Sequence, residues 1–502
     1  MAGLNLKSAG IALVLLFALG IGPSARSATN SNQFAAAPTI TVKKISGTVY
    51  LRAPDSSTFA ALSGTQRVPV GTEVEASNGK ISITASSGQH GDFYQGRFVI
   101  LLPSGQPNVI ELDLSGSSFK NCSKATRRFA SVRKHAPPRR RLWGHAKGRF
   151  VTHGRYSITS VRGTTWLTTD GCDGTNARVT EGTIGVTDLL QNRNVVVRKG
   201  KTYFSKAPTE YSIPTESSEP SSIVSGPDGN LWFTETAAGK IGRSTPRGDI
   251  IEFVVPASGE TDLETGSPEV IVTGPDRNLW FTDPASQSID RITTAGKITT
   301  FAVSGAPHGL TVGSDGNLWF TEDNAQLGRI TPTGEVTEIQ LPLESPSDNS
   351  RITAGGGGNL WFVEPNANKI GRVTTSGDLT EFDIPTQDST PTGITRGADG
   401  NVWFTELTGG KVGRITPAGA ITEFSLPGGD ETGPDQIAVG PDNNLWVTDG
   451  AGSRIARISP SGRIVVVPTP SDQSSPSGIT AGPRGTIWFT ESDGNNIACA
   501  RC

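Results

Sequence analysis

The sequence is poor in methionine, histidine and cysteine, and these shortages narrow the chemistry that it can carry. Of 502 residues, one is methionine, five are histidine and four are cysteine, and aromatic residues make up 7%. Glycine and proline are frequent instead, with 61 and 33 residues. So many turn-forming residues beside so few methionines and aromatics favour many short strands over long helices.

The four cysteines are too few and too scattered to predict a metal centre. They are Cys122, Cys172, Cys499 and Cys502. The C-terminal segment CARC resembles half of a zinc or redox site, but no second pair of ligands lies near it in the sequence. Cys122 and Cys172 are the best candidate disulfide pair. For Cys499 and Cys502, a local disulfide and two free thiols both stay open.

Long apolar runs are absent after the first 22 residues. Residues 11–22, IALVLLFALGIG, follow Lys7 and precede the small residues Ala25 and Ser27. This order is typical of a signal peptide over residues 1–27, because the run is short for a membrane span. No cysteine follows it, so we expect no lipid anchor there. We expect a secreted or extracytoplasmic protein (periplasm or cell surface), with no transmembrane segment in the mature chain and no nucleic-acid partner.

Acidic residues are scarce in the first part of the chain and abundant in the second. Residues 1–208 contain 27 Lys and Arg against 10 Asp and Glu, whereas residues 209–502 contain 18 against 37. The segment 120–149 has eleven basic residues and no acid. We interpret 117–147 as a basic linker. The 120–149 run is either a solvated charge block or a site for a polyanion such as a cell-wall polymer.

A repeated block dominates residues 209–502. Its tryptophans are 48, 39, 42, 42, 43 and 42 residues apart, a period typical of a four-stranded propeller blade. We expect each tryptophan to pack between blades and the Asp-Gly pairs to form tight turns. The seven copies are GPDGNLWFTE (226–235), GPDRNLWFTD (274–283), GSDGNLWFTE (313–322), GGGGNLWFVE (355–364), GADGNVWFTE (397–406), GPDNNLWVTD (440–449) and GPRGTIWFTE (482–491).

The seventh copy ends before a fourth strand, and the missing strand is predicted at the start of the repeat region. The sequence TEYSIP at 209–214 matches the fourth-strand sequence TEFSLP at 422–427. We therefore predict that residues 209–214 complete blade seven, which closes the ring and protects a sheet edge. The predicted fold class is all-β, with a seven-bladed β-propeller over 209–502 preceded by a β-rich domain over 38–207.

His308 is the only histidine of the propeller region, which makes it the candidate catalytic base. Counting back across the Asp315–Gly316 turn places it nearly opposite Glu322, with Cα atoms roughly 5 Å apart. A carboxylate beside an imidazole orients the ring for proton abstraction. Every blade has an acid at the Glu322 position. Two roles stay open for these acids. One is a cation site at the channel mouth. The other is a pair with the third-strand arginine, which blade seven lacks because Cys499 takes its place. These arginines are Arg243, Arg291, Arg329, Arg372, Arg414 and Arg457.

The pattern GPDGNLWFTE, IGRIT and G-x-I-T-E-F resembles the virginiamycin B lyase family over residues 209–502. The resemblance implies Mg²⁺-dependent elimination that opens a cyclic depsipeptide, with a histidine base and a glutamate metal ligand in one blade. His308 and Glu322 match these two roles. The position of a second, substrate-contacting histidine is Glu269, and a further ligand position falls at Ala306. We assign His308 as catalytic, Glu322 to Mg²⁺, and Glu269 and Trp319 to substrate binding.

Segments of the first half, VPVGTEVEASNGKISI (68–83) and RVTEG (178–182), resemble FecR-type domains. This resemblance implies a small extracytoplasmic domain for signalling or binding. Two functions follow for the whole chain, which we expect to be monomeric. One is a lyase for a small-molecule or cyclic peptide ligand. The alternative is a non-catalytic binding or sensing protein that uses both domains as ligand platforms.

Overall fold

The structure, a computed structural model, describes residues 39–502 apart from 86, 104–105, 107, 120–121, 123–138, 258–264 and 343–350. The predicted signal peptide and residues 123–138 of the basic segment lie outside the described residues. Residues 39–502 form one compact unit. Within the described part of the chain, no helix has the length and apolar character of a membrane span.

The N-terminal region folds as one fifteen-stranded, mostly antiparallel sheet. Alternating apolar residues of its strands form a continuous core that includes Phe93, Phe98 and Trp166. The strands are β1 Thr39–Gly47, β2 Tyr50–Arg52, β3 Ala60–Ala61, β4 Thr65–Pro69, β5 Glu73–Glu75, β6 Gly79–Thr84, β7 His90–Tyr94, β8 Arg97–Leu101, β9 Ile110–Leu114, β10 Arg140–His153, β11 Ser157–Gly171, β12 Gly174–Glu181, β13 Thr183–Asp188, β14 Arg193–Arg198 and β15 Thr202–Lys206.

The basic segment is only in part a linker, which corrects the predicted boundary 117–147. Its last residues belong to β10, which pairs with β7, β9 and β11 and is therefore interior to the sheet. Cys122 is joined to Cys172 at the end of β11, with Cα atoms 5.3 Å apart, so this predicted disulfide is confirmed. Cys499 and Cys502 also form a disulfide, which decides between the two alternatives for that pair.

The propeller contains seven four-stranded antiparallel sheets, as predicted. Blades one to seven comprise, in order, β17 Pro220–Ser225, β18 Leu231–Glu235, β19 Lys240–Ser244 and β20 Ile250–Val254; β21 Ile271–Thr273, β22 Leu279–Asp283, β23 Ser288–Ile292 and β24 Ile298–Ala302; β25 Pro307–Val312, β26 Leu318–Glu322, β27 Gln326–Ile330 and β28 Val336–Gln340; β29 Ile352–Ala354, β30 Leu360–Glu364, β31 Lys369–Val373 and β32 Leu379–Asp383; β33 Pro391–Arg396, β34 Val402–Glu406, β35 Lys411–Ile415 and β36 Ile421–Ser425; β37 Pro434–Val439, β38 Leu445–Asp449, β39 Arg454–Ile458 and β40 Ile464–Pro468; β41 Pro476–Ala481, β42 Ile487–Glu491, β43 Asn496–Ala500 and β16 Thr209–Ser212.

Blade seven is completed by β16, so the predicted closure is confirmed. Tyr211 pairs with Ile497 in the antiparallel register of β16 and β43. The ring of Tyr211 stacks on Trp488, with centroids 5.5 Å apart. In other blades the fourth strand provides a phenylalanine for this stack, as with Trp403 and Phe424 at 5.5 Å. The closing strand therefore reproduces both the backbone pairing and the aromatic contact of an ordinary fourth strand.

The repeated tryptophans lie between blades and are almost fully buried, as predicted. Trp232 of blade one, for example, packs with Ile271, Leu279 and Phe281 of blade two. Its indole N–H donates to Asp228 of the preceding turn, at 3.1 Å. A buried indole needs such a hydrogen-bond partner, and the repeat places one four residues before each ring in most blades.

The N-terminal sheet is packed against blades six and seven around Arg155. This side chain is 9% exposed, donates to the carbonyl of Thr469, and lies 3.4 Å from a carboxylate oxygen of Asp472. Its guanidinium also stacks on Phe119 at 4.2 Å. Beside it, Tyr156 is fully buried in a cluster that includes propeller residues. The two regions thus share a core in addition to a chain connection.

Candidate active site at the channel end

The first strand of each blade surrounds the axis of the propeller, where β17, β21, β25, β29, β33, β37 and β41 follow one another. Side chains at the start of these strands therefore meet at one end of the central channel. They come from different blades but lie close together. This end of the channel contains His308, the candidate base.

His308 lies in a chain of three polar groups from three consecutive blades. Its Nδ1 is 3.1 Å from Oε2 of Glu269 in blade two, and its side chain is 12% exposed. The other oxygen of Glu269, Oε1, is 3.2 Å from a guanidinium nitrogen of Arg351 in blade four. Glu269 therefore bridges an imidazole and a guanidinium.

Glu269 is ionised in this arrangement because its neighbours outweigh its burial. Burial by itself raises the pKa of a carboxyl group. Here the charge of Arg351 and the hydrogen bond from His308 lower the pKa of Glu269 below its usual value. An ionised Glu269 can only accept a hydrogen bond, so Nδ1–H of His308 is the donor, and in the neutral ring Nε2 carries the lone pair.

The predicted partner of His308, Glu322, is not beside it. In the register of β25 and β26, Pro307 pairs with Glu322, and a bulge follows before Leu310 pairs with Phe320. Since successive strand residues point to opposite faces, His308 faces away from Glu322. Glu322 is 4% exposed and accepts a hydrogen bond from the backbone N–H of Gly305. The carboxylate beside His308 is that of Glu269, which we predicted to contact substrate, and not that of Glu322.

The acids at the Glu322 position are buried at the ends of the second strands. Burial raises the pKa of Glu235 and Glu364 to about 8 and that of Glu322 and Glu406 to about 7. Burial also raises the pKa of Glu491. The acids of the seven blades are Glu235, Asp283, Glu322, Glu364, Glu406, Asp449 and Glu491, each at most 4% exposed.

The third-strand arginines that lie opposite a tryptophan do not pair with these acids, so that explanation is wrong for them. Among the described residues, another third-strand arginine, Arg454 at the start of β39, does bond one of the acids, Asp449, at 2.6 Å. Arg414 lies over the ring of Trp403 at 5.6 Å and donates to the carbonyl of Pro460 in the next blade. In the strand register Arg414 is opposite Trp403, whereas Glu406 is opposite Lys411. The arginines therefore cover the tryptophans and connect neighbouring blades.

The cation-site explanation for the same acids is not supported by the described residues either. Among them, no three His, Cys, Asp or Glu side chains lie together in a group that could hold a metal ion. Glu322, assigned to Mg²⁺, is enclosed at the end of β26, and Ala306 has no ligand atom in its side chain. The described side chains do not fit Mg²⁺ at this position.

Trp319, predicted to bind substrate, is also remote from a ligand surface. It is 1% exposed and packs between blades three and four, next to Leu360 and Phe362. Its indole N–H donates to Asp315 at 3.1 Å. The packing of Trp319 in the propeller core accounts for its place in the repeat without a contact to substrate.

Arg351 is the site residue that sequence reasoning missed. At its position in the first strands, other blades have small or uncharged residues, for example Gly309, Gly393 and Gln436. An arginine among them was the signal, because a charged side chain next to the axis must find a partner. Arg351 also attracts the Asp435 carboxylate of blade six, whose pKa burial nevertheless raises.

The remainder of the channel end is polar and narrow. A cavity of about 40 Å³ is lined by Arg351, Gln436 and residues of blades one and seven. On the blade-six side, Ser477 donates to Asp435 at 3.1 Å. The site therefore offers one base, one cation and several hydroxyl groups to a ligand that covers the channel opening.

Known families and structures resemble the propeller. The model of the virginiamycin B lyase family matches residues 158–345, 260–431 and 343–501. A streptogramin B lyase structure is 32% identical, with a TM-score of 0.54, and the match covers 58% of this chain and 96% of that one. Virginiamycin B lyase from Staphylococcus aureus is 35% identical, with a TM-score of 0.53, over 58% of this chain and 98% of that one.

One further structure is of a catalytically inactive histidine-to-alanine variant of the Staphylococcus aureus lyase with quinupristin. It is 36% identical, has a TM-score of 0.53, and matches 58% of this chain and 98% of its own. These matches define a seven-bladed propeller of the lyase type. The chain belongs to the virginiamycin B lyase family.

Proposed function

We propose that the propeller is a lyase that opens a cyclic depsipeptide ester at the His308 end of its channel. The observation that carries the proposal is the hydrogen bond between His308 and Glu269, in a chain of the virginiamycin B lyase family. A related lyase loses activity when a histidine is replaced by alanine, which supports a histidine-dependent reaction. His308 is the only histidine that this propeller offers.

In the proposed reaction, Nε2 of His308 takes a proton from the carbon next to a substrate carbonyl. The electron pair of that C–H bond forms a carbon–carbon double bond, and the ester C–O bond on the neighbouring carbon breaks. The ester carboxylate leaves but stays attached through the rest of the ring. His308 then returns its proton to this carboxylate, directly or through solvent, so the product is a linear isomer and the base is restored. Glu269 holds the ring of His308 and stabilises the imidazolium that forms.

Arg351 provides the positive charge of the proposed site. Electrostatic stabilisation of developing negative charge is stronger in a partly enclosed site than in bulk water, and the Arg351 side chain is 17% exposed. Its bond to Glu269 also prevents the carboxylate from taking the proton itself, since the pKa of Glu269 is lowered. We assign no step to a metal ion. Mg²⁺ dependence stays a prediction, and assays with Mg²⁺ and with EDTA test it.

The test is incubation of the full chain with quinupristin, followed by chromatography and mass spectrometry. Elimination gives a linear product of unchanged mass, whereas hydrolysis adds the mass of one water. We expect His308→Ala to reduce the rate roughly 100-fold or more. His90→Ala, at an exposed position of β7, is the matched control and should keep full activity.

Two results would count against this function. Activity that survives His308→Ala would remove the proposed base. Binding of quinupristin by the wild-type chain without ring opening would support the alternative, a non-catalytic binding or sensing protein. The FecR-like interpretation of the N-terminal region belongs to that alternative and stays a prediction.

We also propose export of the chain and contact with an anionic envelope polymer through the described end of the basic segment. Arg139, Arg141 and Lys147 are exposed, whereas Arg140 donates to the carbonyl of Ser117 and is not available. Retention of the full chain on a teichoic-acid resin should therefore fall with salt and with Arg139→Glu and Arg141→Glu together. Retention unchanged by this charge reversal would refute the contact.

A further inference from the structure

The outer face of the N-terminal sheet carries a cleft that the proposed lyase reaction does not use. The cleft crosses β9, β10, β11, β13 and β14 and has a volume of about 510 Å³, in the range of ligand sites. We call it the N-terminal cleft. One end of the cleft is lined by arginines and the other by an acidic residue. A ligand that fits it should therefore carry a negative group at one end and a positive group at the other.

Two arginines face each other at one end of the N-terminal cleft. Arg149 of β10 and Arg162 of β11 are direct cross-strand partners. Both are exposed and line the cleft, and neither side chain has an ion-pair partner among the described residues. Like charges directly opposite each other destabilise a sheet. A carboxylate between them would relieve the repulsion and can accept bidentate hydrogen bonds from guanidinium groups.

The floor of the N-terminal cleft is narrow and partly apolar. Strand alternation places Val151 and Ser160 on the same face as the two arginines, and Gly185 and Val196 follow on β13 and β14. Val196 is 67% exposed, which is unusual for a large apolar side chain. Gly185 keeps the floor open, since a Cβ there would lie 2.7 Å from the hydroxyl of Ser160.

The opposite end of the N-terminal cleft is acidic. His153 lies 3.5 Å from Glu111 and 3.8 Å from Asp113, both on β9. Asp113 Oδ1 and His153 Nε2 are enclosed, yet neither makes a hydrogen bond within the described part of the structure. This end would repel a second anionic group, and the partly exposed carboxylate of Glu111, which lines the cleft, can accept hydrogen bonds from an ammonium group.

We propose that the N-terminal cleft binds a short peptide with free termini and apolar side chains. Its carboxylate lies between Arg149 and Arg162, its side chains cover Val151 and Val196, and its ammonium group reaches Glu111. Arg149 and His153 are four residues apart on β10, roughly 13 Å at the rise of a strand. An extended chain of about four residues spans that distance. This inference concerns the N-terminal sheet and does not depend on the lyase reaction.

The experiment is calorimetric titration of the full chain with a tetrapeptide of alternating alanine and valine. Three forms are compared: free at both ends, amidated at the C-terminus, and acetylated at the N-terminus. We expect the free form to bind and each modification to weaken binding at least 10-fold. Arg162→Gln should weaken the free form similarly. Arg67→Gln, at an exposed position of β4 in the same sheet, is the matched control.

Each contrary outcome overturns a defined part of the proposal. No binding of the free tetrapeptide at millimolar concentration would refute the site. Equal binding of the amidated form, or no effect of Arg162→Gln, would refute the role of the arginines. Equal binding of the acetylated form would refute the ammonium contact and a zwitterionic ligand, leaving a simple carboxylate as the occupant. Thermal unfolding of Arg162→Gln like that of the wild type confirms that the variant is folded.

Discussion

At the scale of single residues, Glu269 decides what His308 can do. One of its oxygens accepts a hydrogen bond from Nδ1–H of the imidazole, and the other forms an ion pair with Arg351. His308 belongs to blade three and Arg351 to blade four, whereas Glu269 belongs to blade two. Glu269 therefore orients a base that lies in a neighbouring blade. Glu269 is therefore a positioning residue in the proposed reaction.

Replacement of this carboxylate tests the role. We expect Glu269→Gln to lower kcat roughly 10- to 100-fold for quinupristin, since the amide loses the charge that stabilises the imidazolium. KM should change little, and the pH dependence of kcat should shift, which a purely structural role would not cause. Glu335→Gln, on an exposed turn, is the control. An unchanged pH profile would contradict the pairing.

His308 could be identified from the sequence, but its partner could not. One histidine in seven similar copies is visible by inspection. The bulge between Pro307 and Leu310 is not, because it depends on the hydrogen bond from the Gly309 N–H to the Thr321 hydroxyl. Counting residues across a turn assumes a regular ladder, and one extra residue moves a side chain to the other face.

At the scale of the strand, the second strand of each blade ends in a buried acid. In Glu406, in contrast to Glu322, both carboxylate oxygens are enclosed and neither makes a hydrogen bond within the described residues. Burial and the nearby Glu423 raise its pKa to about 7, although Lys411 opposes this. A carboxyl group with a raised pKa is protonated when folded. Its contribution to stability is present below the unfolded pKa and is lost as pH rises through about 7.

Unfolding of Glu406→Gln at two pH values tests this. The amide cannot ionise, so we expect its Tm to exceed that of the wild type by a few degrees at pH 8. Near pH 5, where the wild-type group is protonated in the folded state, the two should agree closely. Differential scanning calorimetry measures the difference. The exposed Glu431→Gln variant should follow the wild type at both pH values, and a wild-type Tm that stays constant between them would contradict the expectation.

The elements themselves were largely predictable. The turn residues, the spacing of the tryptophans and the alternation of apolar residues specified four strands per copy, because each is a local signal. The role of the third-strand arginines was not predictable from spacing along the chain. It depends on which residue lies opposite in the neighbouring strand, and Arg414 lies opposite Trp403 rather than Glu406.

At the scale of the whole molecule, two contacts hold the architecture together: the pairing of β16 with β43, and the packing around Arg155. The pairing of β16 with β43 was predicted, because the seventh copy lacks a fourth strand and residues 209–214 supply one outside any other blade. The packing around Arg155 was not predicted. The opposite net charges of residues 1–208 and 209–502 give no sign of a shared surface, which is built from Tyr156 and propeller residues such as Trp446.

Loss of the closing aromatic contact should destabilise the ring. Tyr211→Ala removes the stack on Trp488 and leaves a gap at the edge of blade seven. We expect a loss of about 2–4 kcal/mol in the free energy of unfolding, typical of a large side chain truncated in a core. Denaturant titration measures it. Tyr50→Ala, at a 40% exposed position of the N-terminal sheet, should have a much smaller effect; an equal loss would contradict the role of the closure.

Without the Arg155 side chain, the N-terminal sheet and the propeller should unfold independently of each other. Arg155→Ala deletes the contacts to Thr469, Asp472 and Phe119 at once. We expect calorimetry to change from one cooperative transition to two, with the first at a lower temperature than in the wild type. Arg198→Ala, exposed on β14, should keep the single transition. A single transition in Arg155→Ala would show that the shared core suffices without it.

The position of β16 before the first blade has a consequence during protein synthesis. This strand leaves the ribosome before any blade, while its partner β43 emerges only after the strands of the first six blades. The edge that it will cover does not exist until blade seven has been synthesised. At synthesis rates of roughly 5–20 residues per second, β16 waits on the order of tens of seconds. We expect chaperones to bind a strand that stays unpaired for so long. A chain truncated before β43 would leave β16 without its partner, and the ring would stay open.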